Sequence, residues 1–538
     1  MKTLVTTIVL TIVTALSAMA QTLQPMKENP VIWADMPDPD VIRVDDTYYF
    51  MSTTMFYMPG APIMKSKDLV NWEIAGYVFD KLTDSPRYNL QEGTTYGRGQ
   101  WATSLRFHDG RFYALFCANE YGDMGRTYIY SAPKASGPWT VVSRLPHFHD
   151  ASLLFDDDGR VYVFYGTGEQ VELTPDLQGV VKGSHRQMFK RDAEETGLLE
   201  GSRLVKHRGR YYLLMISHVY KPGRHRREVC YRADNLAGPW EKRVILESDL
   251  NNFGYVGQGT VFDTPDGDWY AMIFQDRTAV GRVPILMPCR WRDGWPMLGD
   301  EDGRIPKKMQ PIVSGQPSCP IVVSDDFDSE LINPHWQWNH NPVENAWSLS
   351  ERKGWLRLKT SRVVNNLYLA PNTITQRMQG PMCSGTVRLD ISHLKDGDCA
   401  GFCTFNGKSG VLTVKKEGKR LELRMSEQQV NLKGSELSVE SVDEEIKESI
   451  DLTTLLKSMH TNILYLRIDA DFTLGRDIAT FHYSTDGSSW KQMGNDFKMQ
   501  FDWQRLFVGT RFALFCYSTK KTGGYADFDS FSFLGKEI

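Results

Sequence analysis

Apolar and polar residues alternate in short runs along most of the chain, and the first half repeats one pattern. In each copy, a polar turn leads into a pair of mostly aromatic residues, and a strand-like run follows. The copies stand 49 to 64 residues apart, with no helical periodicity between them. A turn-and-strand unit that returns at this interval predicts the blades of a β-propeller, and five copies predict five blades. The copies occupy 46–49, 110–113, 159–162, 209–212 and 267–270.

The repeated turn-and-strand pattern stops near Pro311. Residues 313–318 contain Gly, Ser and Pro and indicate a linker. From Ser324 onward, about ten short runs alternate with period two between turn signals, which predicts a β-sandwich. We therefore expect an all-β protein, with a five-bladed propeller in residues 29–312 and a β-sandwich in residues 322–538. The charged stretch 440–447 is predicted to be an exposed excursion.

The N-terminus has the pattern of an export signal. Lys2 gives a positive start, residues 4–16 are mostly apolar, and Ala18-Met19-Ala20 forms a small-residue cleavage site. The apolar stretch is too short to span a membrane comfortably. We expect residues 1–20 to be a signal peptide, and the mature protein to be soluble in the periplasm or outside the cell.

Composition narrows the range of partners. The net charge is −4 and no long basic stripe occurs, so nothing indicates a nucleic-acid partner. The basic cluster 224–227 is predicted to be a solvated loop, with a place at the substrate rim as the alternative. The eight cysteines are irregularly spaced, and we expect most to be buried free thiols. The aromatic content of 12% suits both β structure and stacking on sugars. The oligomeric state is not predicted.

Three acidic residues lie at the heads of the repeats. Asp38 opens the first repeat, Asp150 the third and Glu200 the fourth. Considered alone, Asp38 could be an ordinary turn residue, and Asp150 could be a cap or turn residue before an apolar strand. Glu200 lies in the apolar first residues of a predicted strand, where an unpaired carboxylate would cost free energy. Because the blades of a propeller bring their inner ends together, the three predict one carboxylate-lined pocket, which hydrolysis of a glycosidic bond requires.

Several motifs in the same half resemble glycoside hydrolase family 43. They are 29–32 with Pro37-Asp38-Pro39, 66–72, Gln100-Trp101-Ala102, 264–270 and Gly294-Trp295-Pro296. The C-terminal half is similar to the jelly-roll, concanavalin-A-like sandwich of the family's β-xylosidases, through 336–342 and Asp527-Phe528-Asp529. The resemblance covers roughly residues 29–538, and the motifs are specific only jointly.

The resemblance implies a different role for each of the three acids. Asp38 would be the general base that activates water, and Glu200 the general acid that protonates the leaving oxygen. Asp150 would tune the protonation of the acid and orient it. Asp38 must stay ionised, so we expect it to be better solvated or hydrogen-bonded. An inverting pair should stand about 6.5–9.5 Å apart to leave space for water.

Three further positions are implied to bind the substrate. Trp101 matches an aromatic residue at the border of the sugar pocket, with core packing as the alternative. Arg282 matches an arginine that binds sugar hydroxyls, with a surface cation as the alternative. Gln258 stands where many members have a histidine that helps hold a metal ion or a water molecule. Since an amide is a poor metal ligand, a metal at the axis is doubtful.

No cofactor is expected to be required for catalysis. His147-Phe148-His149 could be taken for part of a zinc site, but no third ligand stands nearby in the sequence, so a structural role is preferred. In the sandwich, Asp326 and Asp529 could contribute to a structural calcium site, which such domains commonly have.

The preferred function is an exo-acting, inverting glycosidase that removes β-D-xylose or α-L-arabinofuranose from plant hemicellulose, pectin side chains or oligosaccharides. The sequence does not separate the two sugars. Within the resemblance, an endo-acting arabinanase is disfavoured, because the appended sandwich closes one end of the cleft. Two alternatives stay open. One is a non-catalytic carbohydrate-binding protein; the other is a retaining five-bladed hydrolase, whose carboxylates would stand about 5 Å apart.

Overall fold

The computed structural model describes residues 25–119, 125–221, 224–434 and 437–536, and its regular elements are almost entirely β-strands. The all-β class predicted from the alternation is confirmed. The predicted signal peptide, 1–20, lies outside the described residues. Within them, no helix is long and apolar enough to cross a membrane.

Five four-stranded antiparallel sheets form the first part of the molecule, as the five repeats predict. β1 (Lys27–Glu28) precedes them. The first blade consists of β2 (Asp40–Val44), β3 (Thr47–Met51), β5 (Gly60–Ser66) and β6 (Glu73–Phe79), with β4 (Tyr57–Met58) between its second and third strands. The second consists of β7 (Gly99–His108), β8 (Arg111–Asn119), β9 (Arg126–Ala132) and β10 (Thr140–Leu145).

The remaining three blades have the same order of strands. The third consists of β11 (Ser152–Phe155), β12 (Val161–Tyr165), β13 (Glu169–Leu173) and β14 (Arg186–Gln187). The fourth consists of β15 (Leu199–His207), β16 (Arg210–Lys221), β17 (Arg224–Ala233) and β18 (Glu241–Leu246). The fifth consists of β19 (Val256–Asp263), β20 (Trp269–Asp276), β21 (Arg282–Arg292) and β22 (Trp295–Leu298); β23 (Lys308–Met309) then pairs with β1.

The recurring motif has one structural meaning in all five blades. Each copy forms the turn between the first and second strands and starts the second. In three blades an aromatic residue of the motif contacts a ring of the next blade, namely Tyr49 with Phe112, Tyr113 with Phe155 and Tyr212 with Trp291. The first strands β2, β7, β11, β15 and β19 pack in a closed ring, so that they line the axis. The residues at the heads of these strands therefore meet, although they are far apart in sequence.

The second part is a sandwich of two sheets. The larger one has the order β32-β31-β30-β29-β36-β27-β24-β4, and the smaller one β25-β26-β37-β28-β33-β34-β35. The first strands are β24 (Gln337–Asn339), β25 (Trp347–Ser348), β26 (Leu356–Lys359), β27 (Ile374–Arg377), β28 (Met382–Asp390), β29 (Asp398–Phe405) and β30 (Lys408–Glu417). The others are β31 (Arg420–Lys433), β32 (Ser438–Asp451), β33 (Ile463–Asp471), β34 (Ile478–Ser484), β35 (Lys491–Lys498), β36 (Arg511–Ser518) and β37 (Tyr525–Lys536).

Helical structure is sparse. Within the part of the chain that the structure describes, one α-helix, α1 (Leu452–Met459), begins at Asp451, whose side chain accepts the N–H of Thr453 at 2.8 Å, as N-cap residues do. The 3₁₀ helices are Pro86–Asn89, Thr278–Val280, Glu344–Ala346 and Leu367–Leu369.

The core of the sandwich lies between its two sheets. The alternation that predicted strands places one face of each strand inward, as in β33, where alternate residues are buried. Leu412, Leu466, Phe481 and Phe528 all have 0% exposure in this layer. Each of these side chains contributes roughly 1.5–3 kcal/mol through burial.

The two parts share a sheet and a buried interface. The short strand β4, which belongs to the propeller segment, pairs with β24 of the sandwich. The fully buried Arg511 stacks its guanidinium 3.7 Å from the ring centre of Tyr57. The side chain of Gln337 donates to the carbonyl of Pro59 at 2.6 Å. The boundaries 29–312 and 322–538 stay predictions, but the contacts show that the sandwich packs closely on the propeller.

Two expectations about charged segments were wrong. Residues 440–447 do not leave the sandwich: they lie in β32, at one edge of the larger sheet. Charged side chains suit an exposed edge because they discourage pairing with another chain. The cluster 224–227 begins β17 rather than forming a loop. Arg227 is 6% exposed and pairs with Glu194 at 3.0 Å, and Arg226 pairs with Asp276.

The cysteine expectation is confirmed. All eight thiols are free, and seven of them are buried; Cys319 alone is partly exposed. The large cores of the two parts account for the buried ones, which behave as small apolar residues.

Candidate active site

The inner strands carry irregular backbone at the end where the predicted acids stand. Asp38 and Asp150 have φ angles of 57° and 49°, in the left-handed region, just before β2 and β11. In β15, the pairing register shifts between Glu200 and Arg203, and in β19 it shifts around Gln258. Bulges and left-handed residues re-aim side chains that a regular strand would point elsewhere. This irregularity turns the acids towards a common site.

Asp38 is held by two donors at the floor of this site. Thr53 Oγ1 donates to Oδ2 at 2.6 Å, and Arg282 Nη1 donates to Oδ1 at 3.3 Å. Only 3% of Asp38 is exposed, so the expectation of better solvation is wrong, whereas that of hydrogen bonding is right. Burial raises the pKa of Asp38, Arg282 lowers it and Asp150 raises it, with a net upward shift. A raised pKa makes the carboxylate a stronger base.

Asp150 and Glu200 lie close to each other beside Asp38. Ligand oxygens of the two carboxylates approach within 4.8 Å. Asp150 is 6% exposed, whereas the Glu200 side chain is 21% exposed and therefore the more accessible of the two. Burial raises the pKa of Asp150, the adjacent His149 lowers it and Glu200 raises it. The structure thus places the three predicted acids in one site.

His149 is a functional candidate that the sequence interpretation missed. Its Nε2 lies 3.2 Å from Glu200 Oε2 and 3.8 Å from Asp150 Oδ2. The charge of Asp150 raises the pKa of His149 to about 9 despite burial, with Glu200 adding to the effect. His149 is therefore protonated near neutral pH and donates to Glu200. The preceding His147 does not share this role, because burial lowers its pKa to about 4.

A second histidine approaches Glu200 from the neighbouring strand. His218 Nε2 lies 3.8 Å from Glu200 Oε1. Burial, followed by the charge of Arg226, lowers the pKa of His218 to about 4, so this imidazole is neutral near pH 7. The charge of Arg226 thus reaches His218, and the place of its cluster at the substrate rim stays a prediction.

Gln258 and Trp101 both border the acids. Gln258 Nε2 donates to Asp150 Oδ2 at 3.4 Å, and the side chain is 5% exposed. It lies across Gly201, where a Cβ atom would be 2.7 Å from Gln258 Cγ, so the residue after Glu200 must be glycine. Trp101 stands edge-on to His149, with ring centres 5.7 Å apart. Both predicted residues are therefore part of the site's wall.

The sandwich supplies one wall through the turn 502–507. Arg282 lies 4.5 Å from the ring centre of Phe507, a cation–π contact, while it also donates to Asp38. Arg282 is 5% exposed, so it is not a surface cation. Asp502 holds the turn by accepting the N–H of Arg505 at 3.1 Å and pairing with its guanidinium at 2.9 Å. The site is thus complete only with both parts of the molecule.

Asp35 ties this wall to the backbone of Arg282 and was also missed. Its Oδ1 accepts the N–H of Arg282 at 2.8 Å, and its Oδ2 accepts the N–H of Gly509 at 2.9 Å. The sandwich residue Arg377 donates to its carbonyl at 2.8 Å. Gly281 has a φ of 104°, and a Cβ there would lie 2.3 Å from Asp35 Oδ1. Only glycine allows this close approach.

The calcium site expected at Asp326 and Asp529 stays a prediction. Arg388 forms an ion pair with Asp529, and its positive charge would repel a cation at that carboxylate. Asp326 instead accepts the N–H of Asp328 at 3.3 Å. Among the described residues, one group of three side chains could share a metal ion, namely His149, Asp150 and Glu200. A metal there would have to displace the proton that His149 carries near neutral pH.

Clustered carboxylates at the axis of a five-bladed propeller suit the hydrolysis of a glycosidic bond, and comparison with known proteins identifies the class as glycoside hydrolase. The model of the glycosyl hydrolases family 43 matches residues 27–296, and that of the beta xylosidase C-terminal concanavalin A-like domain matches residues 324–534. The chain belongs to glycoside hydrolase family 43.

Several proteins are similar over nearly the whole chain. A bifunctional GH43-CE protein of Bacteroides eggerthii is 42% identical with a TM-score of 0.85, covering 96% of this chain and 64% of that one. An engineered GH43 enzyme with endo-xylanase and exo-arabinofuranosidase activity is 31% identical with a TM-score of 0.83, covering 95% and 100%. A beta-xylosidase of Formosa agariphila is 29% identical, covering 94% of this chain and 90% of that protein.

Proposed function

We propose that this protein is an exo-acting glycosidase that removes a terminal pentose, β-D-xylose or α-L-arabinofuranose, with inversion at the anomeric carbon. The natural substrates are oligosaccharides or side chains of plant hemicellulose or pectin. Its family is inverting and exo-acting, and similar proteins are named for these two sugars.

One observation carries the proposal. Asp38 and Glu200 stand in one site but in opposite settings: Asp38 is buried and held by Arg282 and Thr53, whereas Glu200 is more exposed and faces two histidines. Acid and base in an inverting hydrolase need such different surroundings, because one must donate a proton while the other accepts one.

The chemistry follows from these settings. Asp38, with its raised pKa, takes a proton from the attacking water molecule. Glu200 delivers a proton to the leaving oxygen, and His149 stands 3.2 Å away as its hydrogen-bond partner. Asp150 raises the pKa of His149 and so keeps it charged, and it orients His149 and Glu200. Arg282 holds Asp38 in place and offers its remaining N–H groups to sugar hydroxyls.

The retaining alternative has one observation in its favour. Asp150 and Glu200 approach within 4.8 Å, close to the spacing of a retaining pair. However, His149 contacts both carboxylates, and the family to which the chain belongs is inverting. We therefore favour inversion, with the separation of Asp38 and Glu200 as a prediction.

The proposal is tested with p-nitrophenyl β-D-xyloside and p-nitrophenyl α-L-arabinofuranoside, assayed side by side. Turnover of either by the wild type supports an exo-pentosidase and identifies the favoured sugar. Glu241→Ala, an exposed carboxylate on β18, is a control that should retain activity. The absence of turnover on both aryl glycosides and on xylo- and arabino-oligosaccharides would favour the carbohydrate-binding alternative instead.

Two expectations complete the proposal. Export to the periplasm or the medium fits a polysaccharide substrate, and fractionation of the producing cell tests it.

The mechanism uses only side chains of this chain, so exhaustive treatment with EDTA should leave kcat unchanged. Activity that is lost with EDTA and restored by Ca²⁺ would show that a metal is required.

A further inference from the structure

A buried glutamate that the mechanism does not use lies behind the active site. Glu228, on β17 of the fourth blade, has 0% exposure. Its Oε2 accepts the backbone N–H of Gln258 at 2.9 Å, and its Oε1 has no hydrogen-bond partner. Burying a carboxylate without a paired cation destabilises the folded state, so a role for Glu228 has to be sought.

The partner of Glu228 is the irregular residue at the head of β19. Gln258 has a φ of 54° and lies in a bulge, where the ladder cannot satisfy its N–H. Glu228 takes that N–H instead. From this position, the Gln258 side chain reaches Asp150 at 3.4 Å. A short chain of contacts thus leads from Glu228 through Gln258 to a carboxylate of the active site.

The packing around this chain leaves little freedom. Between the two residues, Gly257 lies so close that a Cβ would be 2.5 Å from Ile216 Cδ1 and 3.3 Å from Glu228 Oε2. On the other side, Gln258 lies directly on Gly201. A change at Glu228 is therefore transmitted to Gln258 rather than absorbed by a cavity.

We propose that Glu228 is a positioning residue, which holds the bulge at Gln258 so that its amide fixes Asp150, and that it does so as the neutral acid. This inference rests on the proposed function, because the role of Asp150 belongs to it. Glu228 itself contacts neither the substrate nor the three acids.

The surroundings of Glu228 explain why it is neutral. From β15, the fully buried Arg203 is the cation that acts on it, but this guanidinium donates to the carbonyls of Ser202 and Asp38. From its own strand, the thiol of Cys230 faces it, with a pKa well above the usual range because of burial. Burial raises the pKa of Glu228 to about 8, against the smaller lowering effects of the Gln258 N–H and Arg203.

The activity test compares Glu228→Gln, Glu228→Ala, Gln258→Ala and the double variant of the two alanine changes. Gln at 228 keeps a neutral acceptor, so we expect kcat within about twofold of wild type. Each alanine variant should lose about tenfold or more in kcat with KM little changed, because misplacement of a catalytic group can cost up to about 100-fold. The double variant should lose no more than the worse single variant, since both changes break one chain.

A second measurement does not depend on activity. Because the folded-state pKa lies above the unfolded value of about 4.3, the neutral acid stabilises the fold at low pH. That contribution is lost as the pH rises towards 8. Glu228→Gln should therefore have a higher Tm than wild type at pH 8.5, and the difference should be much smaller at pH 5, just above the unfolded pKa. Glu195→Gln is the matched control, because Glu195 is buried but paired with Lys242; its Tm should be lower at both values.

Three results would overturn the proposal. They are full activity in Gln258→Ala, additive losses in the double variant, and a Glu228→Gln variant as impaired as Glu228→Ala. If the wild type cleaves no pentoside, the proposed function fails, and a crystal structure of Glu228→Ala then decides the positioning role. A Gln258 amide displaced from Asp150 supports it, and an unmoved amide contradicts it.

Discussion

At the scale of single residues, the surroundings of Glu200 and Asp38 predict different responses to substitution. Glu200→Ala removes the proton donor, so hydrolysis of natural glycosides should fall by about 10²–10⁴-fold. Aryl glycosides with activated leaving groups need less protonation and should lose much less. Kinetics of Glu200→Ala on xylobiose and on the aryl glycosides measure this contrast, and equal losses on both would argue against its role as the acid.

Asp38→Asn should reduce both reactions, because each requires an activated water molecule. The change keeps the size of the side chain and its contact with Thr53, so folding should persist. Single-turnover kinetics on both substrates are the measurement, with circular dichroism as the check on folding. Normal turnover in this variant would exclude Asp38 as the base.

His149 gives a pH dependence with a definite sign. Its folded-state pKa of about 9 exceeds the unfolded value of about 6.5, so the charged form stabilises the fold. This stability is fully present below pH 6.5 and is lost as the pH rises through 9. We expect the Tm of wild type to fall more steeply than that of His149→Gln between pH 6.5 and 9. Parallel curves in calorimetry would contradict the assigned charge.

Part of the site could be predicted from the sequence, and part could not. Asp38, Asp150 and Glu200 were predicted because each lies at the head of a repeat, next to the beginning of an apolar strand. His149 was taken for a structural residue, because its charge depends on Asp150 and on Glu200, 51 positions away. Asp35 and Phe507 gave no signal, since their roles arise only where the two parts of the molecule meet.

At the scale of elements, irregular strand heads build the site. Sequence alternation predicts the strands, because beyond their first residues the inner strands pair in regular register. It does not predict the bulges at Glu200 and Gln258 or the left-handed φ angles of Asp38 and Asp150. These conformations are unfavourable locally, and they persist because hydrogen bonds from other blades hold them.

The turn 502–507 of the sandwich is the second element that the site needs. Asp502→Ala removes the hydrogen bonds that hold the turn and should displace Phe507 from Arg282. We expect KM for aryl pentosides to rise several-fold with a smaller change in kcat. Gln504→Ala, an exposed position on the same turn, should behave as wild type. An unchanged KM in Asp502→Ala would mean that Phe507 does not shape the sugar site.

At the scale of the whole molecule, the propeller and the sandwich form one structural unit. The shared strand β4, the buried Arg511 and the contacts of Asp35 all cross between them. The fold class was predicted because both halves repeat their patterns many times. The resemblance implies that the sandwich closes one end of the cleft, but the residues that join the two halves could not be predicted, because they lie hundreds of positions apart in the sequence.

This continuity predicts a single unfolding transition in calorimetry. Asp35→Asn replaces one acceptor by a donor between the N–H groups of Arg282 and Gly509, and should cost about 1–3 kcal/mol. Asp46→Asn, at an exposed ion pair with Lys67, should leave the stability almost unchanged. Two well-separated transitions in the wild type would contradict a single unit.

The central claim is that Asp38 activates water for inverting release of a terminal pentose. Proton NMR of xylobiose hydrolysis, recorded from the first turnover, tests it most directly, in parallel with an α-L-arabinofuranosyl disaccharide. With Asp38 as the base, we expect the anomer opposite to that of the substrate to appear first, which is α-xylose from a β-xyloside. Initial release of the same anomer would indicate a retaining mechanism, and release of internal fragments from longer chains would contradict exo action.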